Sequence, residues 1–201
     1  MEISTEDKIL DVAQRHFVVK GYAGAKMQDI ADEAEINKAL LHYYFRSKDK
    51  LFKEELHRTF DQFFPEVLKA FQSDGDILQK LENIVSTYIN LLIKMPHVPF
   101  FITYELHQNR DSFVTNMMQR TNIMHALKGF IESFEQSIKE GMIKPYPPQQ
   151  LLLNTLSLTV FPFIARTIFT NVFQIEEPAF LLLMEERKSV IMDFLESSLK
   201  P

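Results

Sequence analysis

The sequence predicts an all-α protein with a small N-terminal helical head and a larger helical body. Three observations predict it. Apolar residues recur three or four apart along most of the chain, and no segment sustains a period-two alternation. Pro96, Pro99, Pro145, Pro147 and Pro178 fall between the periodic segments, where helices are expected to stop. Residues 27–51 read as two short helices joined by a tight turn and followed at once by a third. About nine helices are expected, with residues 1–50 as the head and 51–201 as the body.

The first helix opens on Ser4, with Asp7 three residues on, in the pattern of a capping box. Ile9, Ala13 and Phe17 form its apolar stripe, and Gly21 ends it. Ile30, Ala31 and Ala34 give the second helix one apolar face, and the two alanines let a crossing helix come close. The third runs from the N-cap residue Asn37 to Phe45. At roughly 100° per residue, Leu41, Tyr44 and Phe45 share one side, while Lys38, Ala39, His42 and Tyr43 point away. A cation, two hydrogen-bonding rings and a small residue suit a helix lying in a major groove.

The fourth helix opens on Ser47 and carries Leu51, Phe52, Leu56 and Phe60, and Pro65 is expected to kink or break it. Arg46, Lys48 and Lys50 crowd its positive end, against a dipole preference of roughly 0.3–1 kcal/mol each, and Asp49 offsets only part of this. A bound phosphate reverses the sign, because free amides, dipole and cations then all face one anion.

About the first 55 residues of the chain resemble the DNA-binding domain of the TetR family of bacterial transcription regulators, and beyond them only length and helical character fit. The resemblance rests on Ile30-Ala31, Ala34, Ile36-Asn37-Lys38-Ala39, Leu41, Tyr44-Phe45 and Ser47-Lys48 with Leu51, and on the segment from Phe17 to Tyr22. It implies DNA contacts by Lys26, Met27, Gln28, Asn37, Lys38, Ala39, His42, Tyr43, Ser47 and Lys48. Four positions depart from the family's pattern. Glu35 stands where the turn usually has Gly, and a left-handed backbone costs an L residue about 1 kcal/mol or more. Lys26 and Met27 replace the Ser/Thr pair that caps the second helix, and His42 replaces a more usual Tyr.

Five further helices are predicted over residues 77–95, 100–109, 112–140, 148–170 and 178–199. In the helix predicted over 112–140, Phe113, Met117, Met124, Leu127, Ile131, Phe134 and Ile138 form one row and Val114, Met118 and Phe130 a second. Eighteen Phe, nine Met and no Trp predict an interior of rings and adaptable thioethers. Within it, Phe100, Phe101, Tyr104 and Met118 are candidate walls of a ligand cavity, with His125 and Arg166 as polar anchors. That cavity suits an apolar or aromatic small molecule, and an unpaired buried Arg166 would favour one bearing a carboxylate. Leu151, Leu152, Leu156, Leu158, Phe161, Phe163, Ile164 and Ile168 nearly encircle the helix over 148–170. Phe180, Leu183, Met184, Val190, Ile191, Phe194 and Leu195 load the last one, so the two are expected to build a homodimer interface.

The chain carries a net charge of −5, and residues 1–51 hold eight cations against nine acids. Placement matters more than the sum, since five of those cations lie between Lys26 and Lys50. No catalytic motif is present, and with five Gly there is no phosphate-cradling loop. His97 and His107 lack metal-ligand spacing and Cys is absent, so neither a metal nor a cofactor is expected. There is no leader-like N-terminus and no uninterrupted membrane-length apolar run, so a cytoplasmic protein without membrane contact is expected. These features predict a non-enzymatic, ligand-responsive repressor that binds a palindromic DNA operator as a homodimer. The alternative is an all-helical interaction adaptor with a degenerate helix-turn-helix, which the cap and turn departures permit.

Overall fold

The computed structural model describes residues 4–108, 113–115, 118 and 122–201. Among them the regular structure is entirely helical. The chain divides into two compact units, one ending at Gln62 and one starting at Phe63.

The first unit contains α1 (Thr5–Gly24), α2 (Met27–Glu33), α3 (Lys38–Tyr44) and the first turns of α4 (Lys48–Phe71). Ser4 Oγ accepts from the Asp7 amide at 3.0 Å and donates to its carboxylate at 2.6 Å, so α1 starts where the sequence places it. Gly21, at φ 70°, interrupts α1, and one more turn follows to Gly24. α2 packs on both α1 and α3. Ile9, Ala13, Phe17, Ile30, Ala31, Ala34, Leu41 and Leu51 are all fully buried. Burying each of the larger side chains contributes about 1.5–3 kcal/mol, which is what lets three short helices hold together. Tyr44 departs from expectation: it is 39% exposed, so the inward side of α3 is Leu41 and Phe45 alone. Pro65 does not break α4, which runs on to Phe71.

In the second unit follow α5 (Ile77–Lys94), α6 (Val98–Gln108), α7 (Ile123–Lys139), α8 (Pro148–Ile164), α9 (Arg166–Val172) and α10 (Glu177–Leu199). Asp76 caps α5 through the Leu78 and Gln79 amides, and the Gln79 side chain accepts from the Asp76 amide in return. Pro99 and Pro178 sit inside first helical turns rather than in gaps, where their missing N–H costs nothing. α5 packs on α7, α8 and α10 around Leu81, Val85, Ile89, Phe130, Phe134, Phe180 and Leu195. Asn109, Ser112 and Met117, and so the start of the helix expected over 112–140, lie outside the described residues. In α7 the buried line is Ile123, Ala126, Phe130, Phe134 and Ser137, while Met124 faces solvent.

The helix expected over 148–170 is two helices, α8 and α9, bent by 63° at Ala165. Pro162 lies inside α8 and leaves Leu158 O, four residues earlier, without its helical donor. Arg187 Nε of α10 supplies one at 2.8 Å. No single helix among the described residues is long and apolar enough to cross a membrane.

The predicted encirclement of α8 resolves into two unlike faces. Its buried line is Leu151, Thr155, Thr159, Pro162 and Phe163, with both threonine hydroxyls bonded to carbonyls four residues back at 2.8 Å. Its outer line holds Leu153, Phe161 and Ile164, the last two 56% and 54% exposed. α10 divides likewise: Phe180, Met184, Ile191 and Leu195 are buried, whereas Leu183, Val190 and Phe194 are exposed.

Candidate nucleic-acid interface

α2 ends in two crossed bonds: the Ile36 amide donates to Ala31 O at 3.0 Å and the Glu35 amide to Asp32 O at 3.1 Å. This closure requires a left-handed residue just past the helix, and Glu35 takes it at φ 55°. Lys8 Nζ bonds the Glu35 carboxylate at 2.8 Å, and that bond holds its pKa below the ordinary carboxylate value. α3 then starts on Asn37, whose side chain accepts from the Leu40 amide at 2.8 Å. Asn37 is thereby committed to capping. Lys38, Ala39, His42 and Tyr43 all face solvent as predicted, Tyr43 most of all at 80%. His42 Nδ1 lies 3.3 Å from Arg46 O, which ties the ring to the turn that follows α3.

Ser47 caps α4 by accepting from the Lys50 amide at 3.2 Å, and the Leu51 amide donates to Ser47 O at 3.0 Å. The Lys48 and Asp49 amides precede any helical acceptor and stand open to a ligand. At the start of α2, Lys26 provides no side-chain cap, in keeping with the missing Ser/Thr pair. Met27 is half-buried, and Gln28 spends its amide group on Asp32 at 2.7 Å.

The head's cations divide into two classes. Lys8, Arg15, Lys20, Lys53 and Arg58 each meet a carboxylate at 2.8–3.0 Å. Lys26, Lys38, Arg46 and Lys50 form no ion pair among the described residues and are exposed. These four flank α3 in sequence, before α2, at the first turn of α3, in the α3–α4 turn and in the first turn of α4. Lys48 belongs to neither class. Its Nζ lies 2.9, 3.4 and 3.2 Å from the carbonyl oxygens of Tyr22, Ala23 and Ala25, and 4.6 Å from the Tyr22 ring centre. The side chain therefore points back to the end of α1 instead of outward to a phosphate.

A polar network inside the head has no counterpart among the predicted residues. Glu55 is fully buried and its Oε1 accepts from Gln14 Nε2 at 2.8 Å and Thr59 Oγ1 at 3.1 Å. Arg58 Nη2 stands 2.8 Å from Oε2 without hydrogen-bond alignment, so charge alone joins them, and Arg58 Nη1 meets Asp11 of α1 at 2.8 Å. Burial pushes the Glu55 carboxyl up to about 7, against the pull of Arg58, Gln14 and Thr59. The clue in the sequence is spacing: residues 52, 55, 56 and 59 share one helix face, so Glu55 had to enter with Phe52 and Leu56.

In the second unit the six ligand candidates do not gather. Phe100, Phe101 and Tyr104 form one aromatic group on α6, with centroids 5.4 and 6.4 Å from Phe100. Met118 is exposed, and His125 faces solvent in an open depression lined by Leu127, Ile131 and Leu152. Arg166 is not the unpaired anchor that was expected: Glu177 pairs with it, and its guanidinium lies 5.1 Å over the Phe180 ring. Its own chain satisfies the charge.

The family model described as bacterial regulatory proteins of the tetR family matches residues 9–54. The "Probable HTH-type transcriptional regulator YttP" of Bacillus subtilis is 25% identical over 90% of this chain and 88% of its own length. The negative transcriptional regulator IcaR of the biofilm operon icaADBC of Staphylococcus epidermidis is 21% identical over 95% and 99%. AibR, crystallised with isovaleryl coenzyme A and operator DNA, shares the fold at a TM-score of 0.68 and 20% identity, over 95% of this chain and 97% of AibR. With the crossed-bond turn and the Asn37 and Ser47 caps, residues 9–54 carry the DNA-binding domain of the TetR family of bacterial transcription regulators, and the chain is similar along most of its length to the regulators YttP and IcaR.

Proposed function

We propose that the protein is a homodimeric, ligand-responsive repressor that binds a palindromic operator in the cytoplasm and acts by binding rather than catalysis. The observation that carries the DNA half is the charge sorting. Lys8, Arg15, Lys20, Lys53 and Arg58 are paired with carboxylates, while Lys26, Lys38, Arg46 and Lys50 are left for an external anion. The open α4 amides, with the Ser47 hydroxyl beside them, fit a phosphate. Ala39, His42 and Tyr43 are placed to meet base edges or the adjacent backbone. Two copies would read half-sites one turn apart, roughly 34–36 Å.

The outer line of α8 supports the dimer. It leaves Leu153, Phe161 and Ile164 in solvent while Thr155 and Thr159 are buried, the reverse of what a monomer's surface requires at those positions. Pairing α8 and α10 with those of a second copy would bury both lines. IcaR's standing as a negative regulator favours repression over activation. AibR's coenzyme A ester favours a small-molecule effector, for which Phe100, Phe101 and Tyr104 offer an apolar wall. α4 starts in one unit and ends in the other, so it is the element through which a bound ligand would act on the head.

The test is fluorescence anisotropy with duplexes selected by the protein from a random-sequence library, titrated over a range of salt. The reading requires one inverted-repeat sequence, two protein copies per duplex and a log K against log salt slope of roughly −5 to −8. No binding to any duplex at low salt would leave the adaptor account in its place.

A further inference from the structure

We infer that Lys48 is a positioning residue that fixes the spacing of the two ends of the DNA-contacting face, and that it does not itself hold phosphate. This rests on the DNA-binding reading above. Gly21 breaks the helical ladder of α1 at φ 70°, and the chain then needs only one further turn and two residues to begin α2 at Met27. The carbonyls of Tyr22, Ala23 and Ala25 in this short link have an ammonium within 2.9–3.4 Å, and a cation is the group that a helix C-terminus favours. An ammonium has three donors and no acceptor, and three carbonyls match them.

Rings hold the same junction. Tyr22, under the Lys48 charge, meets the Phe52 ring edge-on at 5.1 Å, and Phe17 meets Phe52 at 5.0 Å. The first residue of α4 is thus fastened to the residues immediately before Lys26. Lys26 marks one end of the unpaired cation set, and Arg46, Ser47 and Lys50 mark the other. Turning Lys48 outward to a phosphate would strip three carbonyls of their donor and free both ends to move. Free Lys26, Lys38, Arg46 and Lys50 carry no such cost.

Lys48→Met keeps the stem and removes the donors. Its affinity for the library-selected duplex is expected to fall 10- to 100-fold, and the ratio to a scrambled duplex is expected to fall with it, at an unchanged salt slope. Lys48→Arg, which can still donate to the carbonyls, should restore most of the ratio. Lys26→Ala on the same plot should flatten the slope by about 1.8, one phosphate contact from each of two copies. A similar flattening in Lys48→Met would overturn the inference in favour of a direct phosphate contact. An unchanged selected-to-scrambled ratio would reduce Lys48 to a purely structural role. Amine-reagent footprinting of the wild-type chain decides the matter without a variant. Lys48 should react slowly with and without DNA, while Lys26, Lys38 and Lys50 react when free and are protected when bound. Protection of Lys48 only on DNA would also overturn the inference, whereas failure of the wild type to bind any duplex would instead sink the regulatory reading.

Discussion

Around α3 the head leaves Lys26, Lys38, Arg46 and Lys50 without a carboxylate, whereas along α8 and α10 the body leaves Phe161, Ile164, Val190 and Phe194 in solvent. One surface has unspent charge and the other unspent apolar area. Elsewhere both units are thrifty: the remaining head cations meet carboxylates or, for Lys48, carbonyls, and the body's threonines inside α8 are bonded to carbonyls. The difference teaches that the two surfaces want different partners and answer oppositely to salt. Binding of a polyanion weakens steeply as salt rises, and association through apolar area does not.

The largest effect is expected from breaking the apolar side. Phe161→Glu with Val190→Glu would force four charges into the proposed two-fold seam, and self-association should weaken at least about 1,000-fold, or roughly 4 kcal/mol. Both side chains are more than half exposed in a single copy, so the fold of each subunit should survive. Sedimentation velocity reads the outcome. A variant that still sediments as a dimer, with wild-type affinity, would show that α8 and α10 face something other than a second copy.

How far the sequence foretold these surfaces differs between them. The helix-turn-helix was legible because caps and turns are local: Ser4, Asn37 and Ser47 each bond an amide within three residues. The outward set on α3 followed from period alone. The body was legible in type but not in detail. Periodicity marked 148–170 as apolar all round, yet could not separate Leu151 inside from Phe161 outside, nor foresee the bend at Ala165. Those depend on tertiary partners, such as the Arg187 side chain that reaches Leu158 O across the Pro162 gap. Arg166 was misread for the same reason, since its partner Glu177 lies in another helix. Lys48 was misread because a cation at a helix start has a dipole argument for phosphate, and only the fold reveals three carbonyls nearer by.

Charge on the inside of the head offers the next test. The Glu55 carboxyl titrates near 7 in the folded chain and near 4.5 otherwise, so the folded state holds its proton more tightly. Its contribution is then fully present below about pH 4.5 and is lost as pH rises through about 7, by an amount on the order of 3 kcal/mol. Glu55→Gln cannot ionise and should lack this loss. Urea midpoints between pH 5 and 8 should fall for the wild type relative to the variant. Parallel profiles would mean that Arg58, Gln14 and Thr59 compensate the buried charge completely.

Smaller again is the contrast between paired and unpaired cations. Arg46→Ala is expected to weaken operator binding about 10-fold and to flatten the salt slope by about 1.8 per dimer. Lys20→Ala, which removes a residue already bonded to Asp29 at 2.8 Å, should change neither by a comparable amount. Equal effects from the two would erase the sorting on which the DNA face rests.

The turn between α2 and α3 gives the mildest effect and the cleanest separation of causes. Glu35 has a left-handed backbone that favours Gly, and it also holds Lys8 in an exposed ion pair. Glu35→Gly relieves the backbone and loses the pair, while Glu35→Ala loses the pair and keeps the backbone strained. If strain dominates, the Gly variant melts about 3–6 °C above the Ala variant, with the wild type between them. Both variants also remove a negative charge from the turn, so any gain in DNA affinity should be the same in each. A higher melting point for Glu35→Ala than for Glu35→Gly would mean that the loss of chain entropy outweighs the left-handed cost here. The crossed bonds from Ile36 and Glu35 would then be holding the turn largely by themselves.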